Sequence, residues 1–117
     1  MNTSQLKQYI AQQYNSDEEY PWIKFPEYCV FRHRNNQKWF ALIMDVPKSK
    51  IGLEGNEKID ILDVKCDPIL IGSLLNEKGF FPAYHMSKSS WITIALDGSV
   101  DDEKIFWLID SSYSLTS

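Results

Sequence analysis

Three side chains with chemical potential fall close together in the run Phe81-Pro82-Ala83-Tyr84-His85-Met86-Ser87-Lys88-Ser89-Ser90-Trp91: His85, Lys88 and Trp91. A fourth, Lys65, precedes Cys66-Asp67-Pro68. Histidine titrates near neutrality, so His85 beside Lys88 could move a proton. Acyl or phosphoryl chemistry would need more. No Ser or Cys stands at a recognisable spacing from a partnered base, and Gly52 and Gly55 lack phosphate-loop spacing. His33 and His85, the only two histidines, are far apart and show no metal-ligand spacing. Asp67 at a helix start makes that terminus a poor anion site. The residues thus define no catalytic set and no cofactor site. They point to a non-enzymatic binding module, with His85 also readable as a hydrogen-bonded structural residue.

The elements that must position these residues follow from periodicity. Leu6, Tyr9, Ile10, Gln13 and Tyr14 share a helical stripe, with Thr3 or Ser4 as cap. Pro21 and Pro26 then interrupt regular structure. Tyr28–His33 and Lys38–Val46 read as a hairpin around Arg34–Gln37, Pro47–Glu57 as a polar loop, and Lys58–Cys66 as a third strand. Asp67-Pro68 opens a second helix that stops at Gly79. Phe80–His85 is expected to be extended and Trp91–Leu96 to be a strand. Ser99 with Asp102 resembles a capping box for a last helix presenting Ile105, Leu108, Ile109, Ser112 and Tyr113. The order α-β-β-β-α-β-β-α predicts an α+β fold with helices on one face of an antiparallel sheet. Residues 1–117 are expected to form a single domain.

Composition narrows the partners. Apolar residues make up 44% and charged residues 24%, a globular balance. No apolar stretch approaches the about 18 residues that span a bilayer. Cys29 and Cys66, without CxxC spacing, are expected to be buried free thiols, which favours the cytoplasm. The net charge of −4 weakens phosphate binding. Its distribution is uneven, however. Arg32, Arg34, Lys38, Lys48 and Lys50 face only Asp45 in their stretch, whereas Asp97, Asp101, Asp102, Glu103 and Asp110 face only Lys104 near the end. Ordinary solvated surface would produce the same pattern.

The runs Phe25-Pro26, Val30-Phe31-Arg32, Lys38-Trp39-Phe40-Ala41, Val64-Lys65-Cys66-Asp67-Pro68, Pro82-Ala83-Tyr84-His85-Met86-x-Lys88, Trp91-Ile92 and Ser112-Tyr113-x-Leu115 carry a resemblance. In these the chain resembles the MmcQ/YjbR family of small bacterial proteins over almost its whole length, with Ser87 where many relatives carry Asn. The resemblance implies a fold similar to CyaY, the bacterial frataxin, and a double-wing surface suited to DNA. It also implies, through the acidic Asp101-Asp102-Glu103, a frataxin-like handling of metal. An acidic first turn is equally what the helix dipole favours.

Strand alternation addresses that surface independently. Ile92, Ile94 and Leu96, Leu62, Val64 and Cys66, and Cys29 and Phe31 form the apolar sets. If these meet the helices, Arg32, Arg34, Lys65 and Trp91 emerge on the opposite, open face. Ile59 and Ile61 break the alternation. With Lys38 and Lys88, such a basic face with an exposed Trp would dock nucleic acid electrostatically and stack bases. DNA is therefore the leading partner expectation. A small-molecule or protein-partner pocket around Lys65, His85 and Trp91 is the alternative, and frataxin-like metal binding the third reading.

Overall fold

Three α-helices lie against one face of a five-stranded antiparallel sheet in the computed structural model, which describes all 117 residues, Met1–Ser117. The elements run α1 (Thr3–Gln13), β1 (Cys29–Arg32), β2 (Trp39–Pro47), β3 (Lys58–Lys65), α2 (Pro68–Leu74), β4 (Phe80–Pro82), β5 (Trp91–Ala95) and α3 (Asp102–Thr116). This is the order expected from periodicity. The strands lie β1-β2-β3-β5-β4 and every neighbouring pair is antiparallel. A 3-10 turn at Lys48–Ile51 begins the long β2–β3 connection.

The helix-side core is the alternation made solid. Phe31, Ile43, Leu62, Val64, Ile92 and Ile94 from the strands meet Leu6 and Ile10 of α1, Ile71 and Leu74 of α2, and Ile105, Leu108 and Ile109 of α3. Cys29 and Cys66 are buried in it as free thiols, and burial pushes the Cys29 thiol up to about 11. Ser112 fastens α3 to the sheet. Its hydroxyl donates to the Phe40 carbonyl (2.7 Å) and accepts from the Lys65 amide (2.9 Å), just where the β1–β2 register shifts. Beside it, buried His33 places Nε2 2.7 Å from Thr116 Oγ1 and packs on the Tyr113 ring.

The helix starts differ from expectation in two places. Asn2, not Thr3 or Ser4, caps α1: its side chain accepts from the Gln5 amide (2.8 Å), and the Gln5 side chain returns the bond to the Asn2 amide. Asn and the longer Gln complete a reciprocal box that Thr3 would enter one residue too late. At α3 the N-cap is Asp101, without a side-chain bond, because Ser99 is already held by Asp97 in the preceding turn. Asp67 does cap α2, accepting from the Ile69 amide at 2.9 Å.

The extended stretch from Phe80 is shorter than expected. Strand β4 ends at Pro82, which has no amide to continue the ladder. The turn into it requires Gly79 at φ +93°, where an added Cβ would sit 2.5 Å from the Val100 side chain.

Candidate functional site: a loop-covered aromatic cavity

The face of the sheet away from the helices is also buried, and this corrects the expected open platform. One row of side chains crosses all five strands there in register: Val30, Leu42, Asp63, Thr93 and Phe81. A neighbouring row holds Met44, Ile61 and Ala95. Above them pack Tyr28, Trp22, Leu53, Ala83, Tyr84 and Met86 from irregular segments and Ile51 from the 3-10 turn. Trp91, expected to be exposed, is 8% accessible. Ile59 and Ile61, which broke the alternation, belong to this second core. Their apolar side chains answer a covered face, not an error in the strand.

Besides the β2–β3 connection, which delivers Ile51 and Leu53, two loops make the cover. In the first, Pro21 and Pro26 exclude helix and ladder, and two tight turns fold the chain instead: the Phe25 amide donates to the Trp22 carbonyl (3.2 Å) and the Tyr28 amide to the Phe25 carbonyl (3.0 Å). Phe25 stacks on Tyr28 with ring centroids 4.7 Å apart, while Trp22 stands edge-on to both Trp39 (5.6 Å, 76°) and Tyr28 (6.0 Å, 75°). In the second loop, His85 adopts φ +61°, a left-handed conformation uncommon outside Gly, though His, Asn and Asp are enriched in it. Its ring lies against Tyr84. The loop is stitched down by the Tyr84 amide donating to Thr93 Oγ1 (2.9 Å) and by Lys88 Nζ donating to the Ala83 carbonyl (3.0 Å).

Between the two loops the cover does not close. A cavity of about 400 Å³ remains, lined by Trp22, Phe25, Tyr28 and Trp39 as walls, Leu42 and Met44 as floor, and His85 and Met86 along the second loop. That volume lies within the about 300–1,000 Å³ usual for small-molecule sites. Of the lining side chains Phe25 and His85 are exposed, and Ile23, next to Trp22 in the chain, is 96% accessible.

Next to the floor residue Leu42 sits Asp63, with none of its surface accessible. Its Oδ1 accepts from the Thr93 hydroxyl, whereas Oδ2 has no hydrogen-bond partner. Burial pushes this carboxyl up to about 7, against the pull of the Thr93 bond and the Lys88 charge. It is the one buried side-chain polar atom left unpaired, and it lies on the cavity's side of the sheet.

The residues expected from sequence fare unequally. Arg32 forks onto the Glu19 carboxylate (Nε to Oε2, 2.8 Å), which holds Glu19 below its ordinary range. Arg34 donates to the Asn15 carbonyl and to Asp17 (3.1 Å). Lys38 is exposed on the hairpin loop and enters no ion pair. Lys65 and Trp91 are cross-strand partners on β3 and β5, and neither lines the cavity. Lys88 lines a shallower depression with Lys50, Tyr84 and His85. Of the expected pocket trio Lys65, His85 and Trp91, only His85 reaches the cavity. No group of three or more His, Cys, Asp or Glu gathers to hold a metal ion, and no helix is long and apolar enough to cross a membrane.

A helix-backed antiparallel sheet with a loop-roofed cavity on its other face is the class of protein defined here. The chain belongs to the YjbR family, whose model matches residues 11–115. It is 41% identical over 108 residues to the uncharacterized protein YyaQ of Bacillus subtilis, covering 92% of each chain. It is 47% identical over 32 residues to the uncharacterized protein YjbR of Escherichia coli, covering 27% of each. A crystal structure of a Pseudomonas syringae protein superposes with TM-score 0.97 at 45% identity over 100% of both chains. A Deinococcus radiodurans protein carrying the domain designated DUF419 superposes with TM-score 0.74 at 25% identity, over 97% of this chain and 77% of that one.

Proposed function

We propose that this protein is a non-enzymatic binding module whose ligand is a small, ring-bearing molecule held in the aromatic cavity. The cavity itself carries the reading. It joins seven apolar lining residues and one histidine in a space of ligand size, on a rigid sheet floor, under two loops. Apolar walls supply affinity by excluding water, stacked and edge-on rings supply shape, and His85 supplies a titratable polar handle.

Two of the three methionines, Met44 and Met86, line the cavity, while Met1 does not. Methyl-labelled methionine NMR with an aromatic fragment library therefore reads the site directly. Fragments binding at about 100 μM or tighter should move the Met44 and Met86 signals and leave Met1 in place. A library that leaves both cavity methyls unmoved sinks the reading. The nucleic-acid expectation has less to stand on, because Arg32 and Arg34 are engaged by acidic and carbonyl partners and Trp91 is covered. Labelled duplex DNA at low salt tests it. A steep salt slope reduced by Lys38→Ala or Lys88→Ala would restore it over the cavity reading.

A further inference from the structure

The composition of the cavity also constrains the charge of what it takes. Its walls are Trp22, Trp39, Tyr28 and Phe25, with Trp22 at about a right angle to both Trp39 and Tyr28. Aromatic faces carry negative potential and attract cations, Trp most strongly. No Lys or Arg lines the space. Arg32, the cross-strand partner of Trp39, is neutralised by Glu19.

Asp63 adds a second, independent observation. It is the cross-strand neighbour of Leu42, and its diagonal neighbour across the same ladder is Met44; both are floor residues. With Oδ1 held by Thr93 on the opposite strand, Oδ2 is left unpaired on the face of the sheet that carries the floor residues, one side chain away from the cavity. A buried acceptor without a donor is costly, and a carboxylate at low dielectric acts strongly across one layer of side chain. Lys88, whose charge acts on Asp63, has its ammonium on the Ala83 carbonyl.

We propose that the cavity selects organic cations, ring-bearing ligands with a protonated or quaternary nitrogen, with the aromatic walls as the cage and Asp63 as the counter-charge beneath it. This rests on the small-ligand reading above and names its ligand class.

Three probes of nearly equal shape separate the possibilities on the intact protein: N-methylquinolinium, quinoline and 2-naphthoate, titrated near pH 8 and followed by the Met44 and Met86 methyl signals. The cation should bind at least about ten-fold more tightly than quinoline, with naphthoate weakest. Asp63→Asn, which keeps the Thr93 bond, should cut that preference to about three-fold or less. Trp22→Leu should remove what remains. Quinoline or naphthoate binding as tightly as the cation overturns the charge selection and leaves the cavity reading standing. A preference untouched by Asp63→Asn overturns the role given to that carboxylate. If none of the three moves either methyl, the cavity reading falls, and this inference with it.

Discussion

The two faces of the sheet are both buried, yet they are built by opposite means. On one, three helices deliver a regular stripe each onto strand residues that alternate except at the Phe40 irregularity, and the contact closes without a polar orphan. On the other, the cover is two loops and the β2–β3 connection, anchored by turns and by a few large rings. Rings bury much area from few backbone points, so they can roof a sheet without regular structure. They cannot interdigitate as densely as helical stripes do, and the shortfall is the cavity and the unpaired Asp63 oxygen. The contrast separates a face built for stability from one with room for a partner.

The largest effect should come from the closed face. Phe31→Ala removes a side chain with no exposed surface from the helix-side core and should lower stability by about 3–5 kcal/mol, seen as a shifted urea midpoint with unchanged slope. Trp22→Ala on the half-open side should cost well under half of that. Equal costs would mean the roof is packed as tightly as the helix side, and the distinction would collapse.

Next comes Asp63. Its folded carboxyl titrates at about 7, above its ordinary range. Between about pH 4 and 7 the unfolded chain releases this proton while the folded chain retains it. Stability should therefore fall as pH rises through that window and level off above it. Asp63→Asn should flatten the curve and gain about 2–3 kcal/mol near pH 8. A variant less stable than the parent at that pH contradicts the assignment of Asp63 as an uncompensated group.

Leu42→Phe should fill the floor of the cavity, raising the thermal midpoint by about 1 kcal/mol equivalent while abolishing fragment binding. Loss of stability instead would show that the space is not free. The smallest effect belongs to the exposed pair Arg34–Asp17: Arg34→Ala should change stability by less than about 1 kcal/mol and leave ligand binding unaltered.

Much of this was readable in the chain because periodicity survives in sequence. The strands, the helical stripes, the Asp67 cap and the buried thiols all leave a local pattern. Alternation even assigned Lys65 and Trp91 correctly to the face away from the helices. What it lacked was the state of that face. Ile59 and Ile61, with Leu42 and Met44 beside them, carried the signal, since a strand apolar on both sides is covered on both sides. The cavity left no such mark. Its lining comes from the Pro21–Tyr28 segment, β2 and the His85 loop, which have no shared period and meet only through the fold. The basic residues misled for a related reason: Glu19, Asp17 and Asn15, which occupy Arg32 and Arg34, lie at least 13 positions away in the chain.

The margins of the sheet have a consequence for how this molecule behaves in a crowd. Strand β4 offers only three residues and ends on Pro82, while Val30 on β1 has both its amide and its carbonyl taken by Glu19 (2.8 and 3.1 Å). Neither flank presents a long row of free backbone groups, so the template on which copies zip together into fibrils is missing at both ends. Concentrated solutions of the folded protein should resist strand-mediated aggregation, and any assembly it forms must be made through side chains.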